Sequence, residues 1–533
     1  MDEFDYIVVG GGSAGCVVAS RLSEDPSVTV CLLEAGGEGR NLAIRIPMAF
    51  AFTMPRGINS WNYETVPQPG FNGRRGFQPR GKALGGSSTI NAMIYARGPR
   101  SDYDNWEKLG NPGWGFDDVL PYFIKSENNA IHRESPLHGT SGPLSITDLR
   151  SPSPLNEVFL DACRSQGIPF TDDLNGAEHG GCYHVQVTQK DGERQSAAAA
   201  FIHPNLDRRN LDVRTGAHIT RVTFDGRRAT GVTYEQGGQQ RSVRARREIV
   251  MSAGAFGTPQ ILMASGVGPG DHLRSVGVPA VHDVPGMGQN LQDHISALLM
   301  YRSKVPEDTI GITPAGVARL AKELWTWNRR RRGMFTGCIA ESGVYYRTEP
   351  DVDVCDMEME LLIGIANDHG RKLLLGHGYS AHLLLARPRS TGEVRLASGD
   401  TRDAPIIDPK YFSDPYDMPT LVKGTQVALD IMNSPAFDRY RGEMVVPYDR
   451  NDEQQIERTL RDQADTEYHP CGTAKMGPDD DPMAVVDAQL RVRGIEGLRI
   501  ADASVMPAVP SNNINAPVLM IGEKCADMIR TGD

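Results

Sequence analysis

Gly10, Gly12 and Gly15 fall at the G-x-G-x-x-G spacing, and Glu34 follows nineteen residues after the last of them. In this order the residue types suit one task, the holding of a dinucleotide. Gly10 permits a tight turn, Gly12 lets a pyrophosphate approach the backbone, and Gly15 lets a helix pack close to a strand. A carboxylate at Glu34 accepts from ribose hydroxyls and repels a phosphorylated ribose. Ser13, Ala14 and Ala35 flank these positions and join them as cofactor contacts. Glycine spacing alone is weak in a chain with 57 glycines; the elements around it carry the weight. Tyr6-Ile7-Val8-Val9 reads as a buried strand, Val18 and Leu22 recur at helical spacing, and the apolar run Val28 to Leu33 ends on Glu34. The helix would face phosphates with unpaired N–H groups and its positive end.

A second glycine-dense turn runs from Gly81 to Asn91. Gly85-Gly86 lets backbone come close to something flat or charged, with Ser87, Ser88 and Asn91 as polar partners beside it. Read alone, the stretch is a loop followed by a helix capped by Ser88 or Thr89. Near the C-terminus, His469 sits between Tyr468 and Pro470. Histidine takes a proton near neutral pH, yet a lone His-Pro step reads as structural. Asn513, in Ser511-Asn512-Asn513-Ile514-Asn515, reads alone as a turn.

The motifs together resemble the glucose–methanol–choline (GMC) family of FAD-dependent oxidoreductases. The turn Gly81 to Asn91 with Ala92-Met93-Ile94-Tyr95 and Arg97-Gly98 is similar to the family's first signature, and Gly254 to Leu262 with Ser265-Gly266-Val267-Gly268 to its second. Gly288 to His294, Tyr468-His469-Pro470 with Gly472-Thr473, Asp502 to Pro507, and Asn513 to Pro517 resemble further hallmarks, so the likeness spans essentially the whole chain. It implies that His469 is the first active-site histidine and Asn513 the second active-site position. It implies cofactor contacts at Leu84, Gly85, Gly86, Asn91, Ala92, Met93, Ile94 and Ala253. The backbone of Val222 is expected at the adenine. Asp502, Asn515 and Pro517 are expected at the ribityl chain or isoalloxazine ring, and Tyr468 near the flavin. Some relatives attach FAD through a histidine just before the asparagine of the first signature; here that position is Ile90, so non-covalent FAD is expected.

That resemblance gives the chemistry a form. Oxidising an alcohol removes a hydroxyl proton and a hydride, and the flavin accepts the hydride at N5. His469 would serve as base. Asn513 would donate an N–H to the developing alkoxide without titrating. The pattern, including Asp368-His369-Gly370-Arg371, resembles bacterial choline-dehydrogenase-like alcohol dehydrogenases, which implies a primary aliphatic or aromatic alcohol. No carboxylate-plus-aromatic cage for a quaternary ammonium stands out. The alternatives are an oxidase making hydrogen peroxide, a choline or sugar dehydrogenase, a flavin-containing lyase, and a nucleotide-binding protein without turnover.

Length and composition frame these expectations. At 533 residues the chain exceeds one ordinary core. Its net charge of −11 gives no reason to expect nucleic acid. Eight cysteines without a C-x-x-C pair show no metal site or disulfide scaffold and fit a reducing compartment. No apolar run reaches the ~18 residues of a membrane span, and the first strand begins too early for a signal peptide, so a cytoplasmic protein is the default.

The fold class expected is α/β: a Rossmann-like FAD-binding domain interleaved with an α+β substrate domain built on a mixed sheet flanked by helices. The FAD-binding domain is assigned residues 1–155, 200–305 and 460–533; the substrate domain takes 156–199 and 306–459. Asp102 to Asn129 shows helical spacing and is expected at the surface. Leu155 to Ala162 reads as a helix, Leu211 to Val232 as strands, and Glu248 to Gly254 as a strand running into a glycine turn. Leu383 to Leu385 and Gly392 to Leu396 read as strands of one sheet. Pro419 to Met432 reads as a helix. Pro314 to Asn328 places Val317, Leu320, Ala321, Leu324 and Trp327 on one helical face, followed by Arg329 to Arg332. The plain reading is a capped helix end facing water. The sharper one is a weak peripheral contact of 314–332 with the inner membrane, where a quinone-like acceptor would reside; oxygen is the other acceptor.

Overall fold

The computed structural model describes residues 2–372 and 374–532. Two sheets organise it. In the first, the strand Asp2–Val9 lies parallel between Val30–Leu33 and Gln239–Met251, with Leu211–Arg214 parallel beyond Val30–Leu33. Gln239–Met251 then turns back through the antiparallel strands Arg228–Gln236 and His218–Asp225, while Leu498–Ile500 pairs parallel with its last residues. Ile7, Val8 and Val9 are fully buried, because a parallel sheet covered on both faces needs continuous apolar strands.

The helix Ser13–Leu22 starts directly after the first strand. A Cβ at Gly15 would lie 1.9 Å from the Gly10 carbonyl oxygen, so only glycine lets helix and strand come this close. The C-terminal helix Asn515–Thr531 packs on Ser13–Leu22, and Gly522 keeps that crossing tight: a Cβ there would lie 2.9 Å from the Ala14 oxygen.

The second sheet is antiparallel, in the order Arg441–Met444, Ile295–Ser303, Gly376–Leu385, Met357–Leu362, Ala340–Tyr346, Gly181–His184. Helices Leu155–Ser165, Asp417–Met432 and Glu453–Gln463 cover one face through a core that includes Leu160, Leu299, Leu383, Leu421 and Ile456. Its other face turns to the first sheet and walls a cavity. Strands of the two sheets alternate along the chain; Ile295–Ser303 and Asp465–Thr466 both pair in the second sheet, although the ranges assigned from sequence put them with the FAD-binding part.

Three local expectations differ from the structure, and a fourth element, a helix, is capped and faces water as expected. The region Asp102 to Asn129 is core: helices Arg100–Lys108 and Phe116–Ser126 bury Tyr103, Trp106, Val119 and Phe123. The indole N–H groups of Trp106 and Trp114 reach carbonyls of Ala508 and Ala488, each at 2.9 Å, which fastens this region to the C-terminal segment. Gly86–Thr89 is one short 3-10 turn, and Ser88 accepts from the Ala197 N–H (2.9 Å) instead of capping a helix. Gly392–Arg395 leaves the second sheet and pairs with Gln289–Leu291 and Ile406–Asp408. The helix Pro314–Arg330 buries Trp327 but leaves Val317, Leu324 and Trp325 exposed, the last at 58%.

Candidate active site

The cavity between the sheets has a volume of about 430 Å³. Gly10, Gly12, Ser13, Ala14, Glu34, Ala35, Gly86, Asn91, Ala92, Met93, Ile94, Ala253, Tyr468, His469, Asp502, Asn513 and Asn515 all line it. Two bare glycine loops line it. Gly10 has φ +99°, and a Cβ there would sit 2.4 Å from the Ser252 oxygen. Gly85 N–H donates to the Gly11 oxygen at 2.7 Å, and a Cβ on Gly86 would come 2.7 Å from Gly12 Cα. Glu34 is buried, and burial pushes its carboxyl up to about 7. It accepts from the Gly11 and Gly36 N–H groups at 2.9 and 2.7 Å, which fixes its plane and leaves lone pairs for a ligand hydroxyl.

Four named residues stand back from the cavity. Gly15 and Pro517 work in helix packing, and Leu84 and Gly85 lie behind the glycine loops. Val222 is a fifth: its N–H donates to Ser265 Oγ at 2.9 Å, and His218 and Ile219 of the same strand form the wall instead. Asp502 ties the C-terminal segment to the helix Gly254–Ala264. Its Oδ2 accepts from Gly254 N–H and Thr258 Oγ1, and its Oδ1 from Ser504. Ser13 Oγ donates to Asn515 Oδ1 at 2.7 Å.

His469 and Asn513 face each other across the cavity wall, with Asn513 Nδ2 3.5 Å from His469 Nε2. That is long for a direct hydrogen bond. One oxygen atom placed about 2.8 Å from each nitrogen would touch both. Each residue is held from behind. Asp293 Oδ1 accepts the His469 main-chain N–H at 2.8 Å, while its Oδ2 accepts from Gln78, Tyr411 and Thr466. Asp102, gripped by Arg387, accepts from the N–H and hydroxyl of Ser511, two residues before Asn513.

The tautomer of His469 follows from its partner. His294 Nε2 lies 3.1 Å from the Ala386 carbonyl oxygen, which only accepts, so this nitrogen carries the proton. Burial keeps His294 neutral by lowering its pKa. Its Nδ1 is therefore an acceptor, and it sits 2.9 Å from His469 Nδ1. His469 Nδ1 must then donate, which leaves the lone pair on Nε2, facing Asn513. Burial pushes the His469 pKa well below its usual value, helped by His294, Arg80 and His382. The imidazole is thus unprotonated at neutral pH. Sequence reasoning missed Asp293 and His294 as site residues, although both stand in the motif Gly288 to His294. It also missed Glu360, His382 and Glu467 in the cavity wall.

Family models described as GMC oxidoreductase match residues 4–296 and 388–522. The chain belongs to the GMC oxidoreductase family. It is an oxidoreductase acting on CH–OH groups, in a family that binds FAD. It is 41% identical over 531 residues to "Alcohol dehydrogenase [acceptor]" of Pseudomonas putida, covering 99% of this chain and 95% of that protein. It is 38% identical to the mitochondrial choline dehydrogenase of Mus musculus, covering 99% and 90%. Pyridoxine 4-oxidase from Mesorbium loti superposes with a TM-score of 0.89 at 31% identity over 99% of each chain. A formate oxidase superposes at 0.91 with 28% identity over 100% and 98%. The fold is accordingly the mixed GMC arrangement of a parallel cofactor sheet and an antiparallel substrate-side sheet. The residues present fit FAD: the bare Gly10, Gly12 and Gly86 surfaces suit a pyrophosphate, and the lone pairs of Glu34 suit a ribose. Ile90, buried on the cavity wall, offers no atom for covalent attachment.

Proposed function

We propose that this protein oxidises a primary alcohol, aliphatic or aromatic, to the aldehyde, with FAD held non-covalently. The observation that carries this reading is His469 Nε2 opposite the Asn513 amide in one cavity, with His294 at the other nitrogen of the His469 ring. The substrate hydroxyl binds between the two nitrogens. His469 Nε2 takes its proton, and Asn513 Nδ2 donates to the oxygen as negative charge develops. His294 holds His469 in the tautomer that can accept. A bound flavin supplies the hydride acceptor. Leu298, Leu362, Ile339 and Ile365 make the substrate side of the cavity apolar, which supports an alcohol with an apolar body and strengthens the polar contacts by excluding water.

We assign the first sheet and its helices to the cofactor and the second sheet to the substrate. We take the electron acceptor to be quinone-like; the name of the Pseudomonas putida relative specifies an acceptor without its kind. The helix Pro314–Arg330 supports a weak peripheral membrane contact: exposed Val317, Leu324 and Trp325 lie beside Lys322 and Arg329, which have no carboxylate partner among the described residues. Arg331 is different, since it caps the helix through the Trp327 and Asn328 carbonyls and pairs with Glu193. Among the described residues no helix is long and apolar enough to cross a membrane. Oxygen uptake and dye reduction measured side by side with one alcohol test the acceptor. Turnover with oxygen as fast as with a quinone analogue would make the protein an oxidase.

A further inference from the structure

One part of the cavity wall is left unused by the base and the alkoxide donor. Glu360 on Met357–Leu362 stands directly opposite His382 on Gly376–Leu385 in the antiparallel register. Glu467 joins them from the segment that leads into His469. The three side chains each bring one oxygen or nitrogen within 4.8 Å of the others. All three line the cavity. Glu360 and His382 are 3% and 7% exposed.

These groups are not satisfied by the protein. Glu360 Oε1, His382 Nε2 and Glu467 Oε2 are buried without a hydrogen-bond partner among the described residues. His382 Nε2 is 2.8 Å from Glu467 Oε2, an ion pair when the imidazole is protonated, but the two do not meet in hydrogen-bond geometry. Neither carboxyl has a lysine or arginine partner among the described residues. Their neighbour Glu358 makes the contrast: it accepts from Tyr183 Oη at 2.9 Å and does not line the cavity. Burial, with Glu358 and Glu467 nearby, holds the Glu360 carboxyl well above the usual carboxylate range. A buried polar atom left open costs stability. Two open carboxyl oxygens and one imidazole nitrogen converging on a cavity with apolar walls suit a group that donates to the carboxyls, and a hydroxyl can also pair with the imidazole.

We infer that Glu360, His382 and Glu467 form a subsite for a hydrogen-bond-donating group, a hydroxyl or a protonated amine, at the far end of the substrate from the carbon that is oxidised. The inference rests on the proposed alcohol oxidation and names the substrate class within it: an alcohol with an apolar body and a second donor. The subsite shares a chain segment with His469. Glu467 is two residues from His469, so their Cα atoms are no more than about 7 Å apart.

The test compares four six-carbon probes on the FAD-loaded enzyme: the α,ω-diol, the mono-alcohol, the ω-amino alcohol and the ω-methoxy alcohol. The expected result is a kcat/KM about tenfold or more in favour of the diol, the amino alcohol or both, as one hydrogen bond to an ionisable group provides. The methoxy compound, which only accepts, gains nothing. A preference for the diol identifies a hydroxyl ligand, and a preference for the amino alcohol alone identifies a cation; either supports the subsite. The isosteric Glu360→Gln and Glu467→Gln variants should each bring the preferred probe closer to the mono-alcohol. Equal constants for all four probes in the wild-type enzyme overturn the inference, as does a preference that survives both substitutions. Calorimetric titration of the oxidised holoenzyme with the diol and the mono-alcohol separates the two readings. If no probe reduces the flavin, alcohol oxidation fails; the subsite then stands on tighter binding of the diol and falls if both bind alike.

Discussion

His294→Leu tests the tautomer argument. The substitution removes the acceptor 2.9 Å from His469 Nδ1 and fills the buried space with an apolar side chain. With Nδ1–H donating, His469 would carry a buried, unsatisfied N–H, which costs about 1–3 kcal/mol. It escapes by moving its proton to Nε2, where it can no longer accept one from the substrate. At about 1.36 kcal/mol per tenfold, restoring the productive tautomer lowers the rate of flavin reduction by roughly 5- to 150-fold. Rapid mixing with alcohol under nitrogen, followed by loss of the flavin absorbance, gives that rate directly. The ratio of flavin to protein absorbance checks that FAD is retained. His294→Asn should recover most of the loss, because the side-chain carbonyl can again accept from Nδ1–H. A His294→Leu rate within twofold of the wild type, or an Asn variant no faster than Leu, would refute the reasoning.

The remaining predictions concern the base, the oxyanion donor, pH and the cofactor. His469→Ala should slow flavin reduction by ~10²–10⁴-fold while FAD is retained, and a near-wild-type rate would remove His469 from the mechanism. Asn513→Ala should cost ~10²–10³-fold, as for a lost oxyanion donor, measured by the same mixing experiment. Because His469 must be unprotonated and its pKa is lowered, the reduction rate should hold as pH falls through 6.5, the ordinary histidine value, and drop only below it. A drop centred at or above that value would contradict the burial argument. Acid precipitation should leave yellow flavin in the supernatant, since Ile90 cannot bond to it; flavin in the pellet would mean a covalent link elsewhere.

What could be read from the chain was what is local. Strand, glycine turn, helix and acid lie within the first 34 residues, and their spacing fixes their contacts. The His469–Asn513 pair was legible only through resemblance, because neither residue has a local signal. Their orientation was not legible at all. It depends on His294, 175 residues before His469, and on Asp102 below Asn513, contacts that a sequence does not display. Asp102 to Asn129 was placed at the surface because its apolar positions make only one helical stripe. The structure covers that stripe and anchors Trp106 and Trp114 to the C-terminal segment. Met357-Glu358-Met359-Glu360 alternates as a strand with one wet face would. Here both faces are buried, and that is how carboxyls enter a cavity whose sequence gave no sign of them.

The most direct test of the central claim is anaerobic addition of a primary alcohol to the purified, yellow protein. The flavin absorbance should bleach, aldehyde should form in equal amount, and a quinone analogue or phenazine dye should restore the colour. A flavin that stays oxidised with every alcohol offered, aliphatic, aromatic and doubly functional alike, would contradict it.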